Sequence, residues 1–182
     1  MTGRIYTIGH SNRTAEVLVA LLAANAVDVV VDVRRFPRSR RHPQFNSETL
    51  PTVLAGHRIG YRHMESLGGR RRPSFAEGAS PNGGWREPGF RSFADYALTA
   101  PFCTGLAALL DLANGAAPAV MCAEALWWQC HRRIISDYLL AAGAPVLHIL
   151  GDEPPKPAAL TPGAVVQEGG AIHYPPAQPP LL

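Results

Sequence analysis

Five residues in one short stretch could do chemistry together: Cys122, Glu124, Cys130, His131 and Arg132. A cysteine attacks as its thiolate, and a nearby His, an Arg guanidinium or a helix N-terminus lowers the thiol pKa. Cys122-Ala-Glu124 closes an apolar run, and Cys130-His-Arg132 opens a helical pattern, so all three influences fall close together. Glu124 or His131 then supplies the acid/base group, and Arg132 holds an anion. Alone, Cys122 reads equally well as a small hydrophobe on a buried strand. Its neighbours turn the reading toward a nucleophile.

Two more polar clusters follow apolar runs. Gly9-His10-Ser11-Asn12 follows the first, and Asp32-Val-Arg34 closes the second and leads into Phe36-Pro-Arg38 and on to Asn46. His10 is either a hydrogen-bonded loop histidine or part of the reacting set. Arg34 either forks two donors toward an anionic ligand, or ties down Asp32 or Glu124 as a buried pair.

These clusters need a scaffold, and the hydrophobic pattern supplies one. Ile5 to Ile8 and Val27 to Val33 read as strands, the second near-continuous valine and so buried on both faces. Between them Thr14 caps a helix with apolar Val17, Leu18, Leu21 and Leu22. Ser47 opens a second helix through Leu54, and Ile59 to His63 is a third strand. Phe93 to Leu98 and Phe102 to Leu112 are helical, Ala117 to Met121 a strand, Cys130 to Ala142 a helix, and Val146 to Leu150 a fifth strand. Such alternation gives an α/β fold: a mostly parallel sheet with helices on both faces. Ligands bind such sheets outside the carboxyl ends of the strands, where all three polar clusters fall.

Residues 1–151 form this domain. Residues 152–182 are a Pro-rich extension, packed on the domain or trailing from it, with a small hairpin turning on Gly169-Gly170. Residues 67 to 90 hold no periodicity, and their Gly- and Pro-rich composition predicts a mobile cover over the cleft at 70–89. Of Trp127 and Trp128, one is expected to plug the core and the other to line the pocket.

The chain has 182 residues, 47% hydrophobic and 17% charged, which excludes a disordered protein. No run approaches the ~20 apolar residues of a membrane span, no signal pattern opens the sequence, and three cysteines make no disulfide framework. The expectation is a cytoplasmic protein with no membrane partner. Net charge is only +3, yet ten arginines stand against two acids between Arg34 and Arg72. That field suits an anionic partner, a small anion or a nucleic acid.

Cys122, Cys130 and His131, with His10 or His63 and Glu124, offer metal-ligand types. No Cys-x2-Cys or His-x3-His pair accompanies them, so spacing assigns no metal. No glycine-rich nucleotide loop is present, and no cofactor is assigned.

Taken in order, Ile8-Gly-His-Ser11, Val31-Asp-Val-Arg34, Phe36-Pro-Arg-Ser39, Gln44-Phe-Asn46, Leu67-Gly-Gly69, Phe93-Ala-Asp-Tyr96, Met121-Cys-Ala-Glu124, Cys130-His-Arg132 and Leu160-Thr-Pro form a specific pattern. Over roughly residues 4 to 175 the chain resembles the domain-of-unknown-function 488 family of bacteria and archaea. That resemblance implies an α/β fold and a site drawn from these motifs, and it implies no reaction. In layout the chain is also similar to rhodanese-like domains, where an Asp-Val-Arg strand end and a nucleophilic cysteine share a sheet. The bulky segment Ala123 to Gln129 departs from their short glycine- and arginine-bearing loop, so their mechanism does not transfer.

Two functions follow. The first is a hydrolase or group transferase for a small anionic or nucleotide-like substrate. In it Cys122, Glu124, His131 and His10 are catalytic, and Ser11, Asp32, Arg34, Arg38, Cys130 and Arg132 bind substrate. The second is a nucleic-acid or anion-binding module using the Arg34–Arg72 surface.

Overall fold

A computed structural model describes residues 3–75 and 79–177 of the chain. Five parallel strands carry the architecture: β1 (Ile5–Gly9), β2 (Val29–Asp32), β3 (Gly60–His63), β4 (Pro118–Cys122) and β5 (Val146–Ile149). A short β6 (Lys156–Pro157) adds antiparallel to β5, giving the order β3-β2-β4-β1-β5-β6. Both β1 and β4 are buried along their whole length, as central strands covered on both faces must be.

The helices are α1 (Ala15–Ala24), α2 (Leu50–Ala55), α3 (Pro88–Tyr96), α4 (Ala100–Ala113) and α5 (Arg132–Ala141). Strand periodicity sorts the core into two layers. Tyr6, Ile8, Val30 and Met121 face α1 and α2, against Leu18, Leu22, Leu50 and Leu54. Ile5, Val31, Val120 and Cys122 face α3, α4 and α5, against Phe93, Phe102, Ile134 and Leu139. Because side chains alternate, Met121 and Cys122 point to opposite faces. Cys122 is thereby aimed at the layer that α5 covers.

Thr14 caps α1 as the sequence predicts, its side chain accepting the Val17 N–H, a bond worth about 1 kcal/mol. Other boundaries differ. The second helix starts at Leu50, not at Ser47: residues 47–49 form a turn in which the Ser47 N–H donates to the Pro37 carbonyl at 2.9 Å. The third starts at Pro88, five residues before Phe93, with proline in the first turn where no N–H is missed.

The stretch expected to be a mobile cover is anchored in part. Asn82 is fully buried, donates to Asp95 at 2.8 Å and accepts from the Tyr174 N–H at 3.0 Å. Residues 76–78 of that expected cover lie outside the described residues. The hairpin turning on Gly169 and Gly170, both at φ +86°, is present as β7 (Val165–Val166) and β8 (Ile172–His173). Just beyond it the buried Tyr174 hydroxyl donates to Asp137 of α5 at 2.7 Å. Among the described residues no single helix is long and apolar enough to cross a membrane; by length and composition α3 and α4, bent by 79°, pass only as a pair.

Candidate functional site

The carboxyl ends of β1, β2 and β4 lie side by side because their register pairs Gly9 with Cys122 and Asp32 with Met121. Pairing continues past the strands: His10 N–H donates to Cys122 O at 3.0 Å, Ser11 N–H to Ala123 O at 2.9 Å, and Val33 N–H to Met121 O at 3.0 Å. Gly9 is required at this crossing, since a Cβ there would lie 1.8 Å from the Glu124 carbonyl oxygen.

Above these ends is a cleft of about 520 Å³, within the range of small-molecule sites. His10, Arg34, Arg38, Cys122, Glu124, Cys130 and His131 all line it. The remaining three residues named from sequence do not. Asp32 is fully buried behind Arg34, Arg132 lies beneath Cys130 at 1% exposure, and Ser11 occupies the bend after β1 at φ +49°. The structure adds Arg35, His42, Arg70, Gln129 and Phe90 to the lining. Arg35 and Arg70 belong to the basic run, but only the fold turns them toward Cys122.

Asp32 and Arg34 form a closed pair. The carboxylate accepts from Arg34 Nε at 2.9 Å and Nη2 at 2.5 Å, from the Arg34 N–H at 3.0 Å and from the Tyr61 hydroxyl at 2.8 Å. Arg34 Nη2 also donates to the Phe45 carbonyl at 2.6 Å. Burial opposes the Arg34 charge, yet its bonds to Asp32 outweigh that and hold its pKa raised. Tyr61 is held protonated by burial and by the neighbouring Asp32 carboxylate. Of the two roles open to Arg34, the structure builds the tie to Asp32.

His10 is committed too. Its Nδ1 lies 2.9 Å from the Ser11 carbonyl, which only accepts, so Nδ1 carries the proton. Its Nε2 then receives Arg34 Nη1 at 3.2 Å. Burial, aided by Arg34, lowers its pKa to about 4, and the ring stacks on Phe45 at 4.3 Å. His10 is a neutral wall of the cleft with its lone pair engaged.

The floor is different. Cys122, on β4, and Cys130 and His131, just ahead of α5, bring two sulfurs and His131 Nδ1 within 4.8 Å of one another. Nδ1 is 3.5 Å from Cys130 Sγ and 3.9 Å from Cys122 Sγ. On the other side of the ring, Nε2 lies 3.0 Å from the Val33 carbonyl, which only accepts, so Nε2 carries a proton and Nδ1 is the ring nitrogen that faces the sulfurs. Phe93 meets the ring edge-on at 4.9 Å. Gly69 lies close over it, where a Cβ would be 2.8 Å from Nδ1.

Cys130 Sγ accepts the Arg132 backbone N–H at 3.5 Å and Arg132 Nε at 3.4 Å, while Arg132 also donates to the Glu124 carbonyl. Burial works against ionising Cys130, but the hydrogen bond with Cys122 and the Arg132 charge outweigh it and lower the thiol to about 6. The same shared bond, with burial, pushes Cys122 up to about 12. Both Arg132 donors reach Cys130 and neither reaches Cys122, so the geometry favours Cys130 as the thiolate of the two. Glu124 is exposed on the rim. Cys103 is exposed on α4.

Neither tryptophan takes the place expected from sequence: Trp127 is half-buried outside the core, and Trp128 does not line the cleft itself. Trp127 stacks on the buried His148 at 4.2 Å. Trp128 is 41% exposed and, with Trp85 and Arg133, lines a second groove that adjoins the cleft through Glu87, Phe90 and Gln129.

No curated protein and no solved structure matches the chain. The family model described as Domain of unknown function DUF488 matches residues 14–139, more than half of the chain, from α1 through most of α5 and so across β4, both floor cysteines and His131, and the chain belongs to that family.

Proposed function

We propose that the protein is an enzyme, a hydrolase or group transferase, acting on a small anionic substrate in the cleft at the carboxyl edge of the sheet. One observation carries the reading: a cysteine sulfur that accepts two N–H groups, Cys130, sits on the cleft floor beside a histidine ring nitrogen and under arginines. N–H groups aimed at sulfur stabilise a thiolate, the form that attacks.

In this mechanism Cys130 attacks the electrophilic carbon or phosphorus of the substrate, and the bond to the leaving group breaks. The leaving group takes its proton from solvent at the rim, where Glu124 can orient a water, and water or an acceptor then releases the product from sulfur. Arg70 lines the cleft as an anion contact; Arg38 lines it too but is paired with Glu48 at 2.7 Å on the exposed surface, and Arg34 is held back by Asp32. Trp128 beside the adjoining groove suits a flat aromatic portion, as in a nucleotide. The free thiols this chemistry needs are maintained in a reducing cytoplasm.

A nucleic-acid surface would spread the arginines over a flat face. Of the ten arginines from Arg34 to Arg72, four, Arg34, Arg35, Arg38 and Arg70, line the cleft that holds Cys122, which supports the enzyme. The test is intact-mass spectrometry of the metal-stripped chain after incubation with a panel of anionic acyl and phosphoryl esters. A covalent adduct mapping to Cys130, lost in Cys130→Ser, is the expected result. Turnover that survives Cys130→Ser would remove the nucleophile.

A further inference from the structure

We propose that Cys122, Cys130 and His131 bind one zinc ion, with the fourth position of its shell open to the cleft. The inference takes from the proposed function only the location of the reaction.

The geometry of the three donor atoms suggests it. A tetrahedral zinc with Zn–S of ~2.3 Å and Zn–N of ~2.0–2.1 Å sets neighbouring sulfur and nitrogen ~3.5 Å apart. Here Nδ1 stands 3.5 Å from Cys130 Sγ and 3.9 Å from Cys122 Sγ, and all three atoms lie within 4.8 Å of one another. The two Nδ1–Sγ distances need shifts of only a few tenths of an ångström, and the sulfurs, which a tetrahedral shell sets ~3.8 Å apart, need at most about 1 Å of closure.

The surroundings of the donors agree independently. A ligating histidine almost always gives its other ring N–H to a carbonyl or carboxylate, which fixes the tautomer and aims the lone pair. His131 Nε2 makes that bond to Val33 O at 3.0 Å. Cys130 Sγ is held by two N–H donors from Arg132, the outer support a thiolate ligand needs. Phe93 and Gly69 pack against the imidazole and restrict its rotation.

Two thiolates and one imidazole form a soft donor set that suits zinc better than magnesium or calcium. Three protein ligands and an open position mark zinc sites that act on a substrate, whereas purely structural sites use four. Both sulfurs and His131 line the cleft, so the open position faces its interior. Two thiolates neutralise Zn²⁺, and the adjacent Arg132 leaves the site net positive. The fourth ligand is therefore a hydroxide or an anionic oxygen of the substrate. The Cys130 attack proposed above belongs to the zinc-free chain; in the zinc-bound chain Cys130 would be a ligand, and the group in the open position would replace it as nucleophile.

Sequence spacing hides the site. Cys122 and Cys130 are eight residues apart, with no Cys-x2-Cys pair. They meet because β4 ends where α5 begins and Cys122 points to the face that α5 covers.

The experiment uses the full chain carrying Cys103→Ser, stripped with a chelator and titrated with Zn²⁺ or Co²⁺. One ion per chain is expected. The cobalt form should show thiolate-to-metal charge transfer and the strong visible absorption of a tetrahedral site. Zinc should also protect Cys122 and Cys130 from iodoacetamide, a readout for which no site variant has to fold. Cys122→Ser, Cys130→Ser and His131→Gln should each weaken zinc binding by more than the roughly 10- to 100-fold that follows loss of an outer contact.

Substoichiometric binding, unprotected sulfurs, or a His131→Gln chain that binds zinc as tightly as its parent would overturn the site. The two proposals fail separately. A chain that binds no zinc yet forms the Cys130 adduct keeps the proposed function. A chain that binds zinc, and when stripped forms no adduct, keeps only the metal site.

Discussion

His131 donates its Nε2 proton to the carbonyl oxygen of Val33 at 3.0 Å, joining the start of α5 to the end of β2 across 98 residues of sequence. The bond fixes the ring and points Nδ1 at both floor sulfurs.

Gly69 protects the same contact from the opposite side. In Gly69→Ala the new Cβ would press on Nδ1 from 2.8 Å and on ring carbons from 3.1 Å, displacing the imidazole from Val33. Zinc affinity should fall by about tenfold or more, while the melting temperature changes by only a few degrees. Undiminished affinity would show that the ring position is not critical.

The three thiols should differ sharply in the metal-free protein. Cys130, lowered to about 6, should label with iodoacetamide along a pH profile whose midpoint lies near that value. Cys122, pushed up to about 12, should label slowest near neutral pH despite lining the same cleft. Peptide mapping by mass spectrometry decides the order. Exposed Cys103 reacting ahead of Cys130 near pH 7 would count against an activated thiolate.

Arg34→Lys tests the role of the buried arginine. Lysine cannot reproduce the forked contact, so Asp32 is left short of donors inside the sheet. Breaking a buried pair of this kind costs about 3 kcal/mol, which lowers the melting temperature by roughly 6–12 °C in a domain of this size. An unchanged melting temperature with weakened anion binding would instead return Arg34 to ligand binding.

Acid should destabilise the fold through its buried histidines. His148 is 2% exposed, its Nδ1 is 2.7 Å from Thr7 Oγ1, and its Nε2 has no partner among the described residues. Burial, and secondarily Arg132, lower its pKa from 6.5 to about 4. Above pH 6.5 the ring is neutral in both folded and unfolded chains and adds no pH dependence. As pH falls from about 6.5 to about 4 the unfolded chain takes up a proton that the fold refuses, so stability drops, by about 3 kcal/mol at most. Urea unfolding at several pH values should show this slope, and His148→Leu should make it shallower. An unaltered slope would assign the acid sensitivity to other groups, His10 among them.

Much of this protein is decided by sequence pattern alone. A valine run with no polar face, Val29 to Val31, can be stable only between two strands with both faces covered, and β2 sits between β3 and β4. The Thr14 cap, the Gly169-Gly170 turn and the placing of polar clusters at strand ends follow from equally local rules. Tertiary structure decided what each polar side chain does. Asp32 and Arg34 are two residues apart whether they form a pair or a clamp; a buried position with Tyr61 and Phe45 at hand closed the pair. His10 looked reactive until its lone pair met Arg34. Cys122 and Cys130 could not be ranked from sequence, because the Arg132 donors that favour one sulfur are set by the turn into α5. Local pattern fixes which face of an element is apolar, since burial depends on periodicity. Bond partners and charge states depend on atoms brought together from distant segments, and only the assembled sheet places His131 between Val33 and two sulfurs.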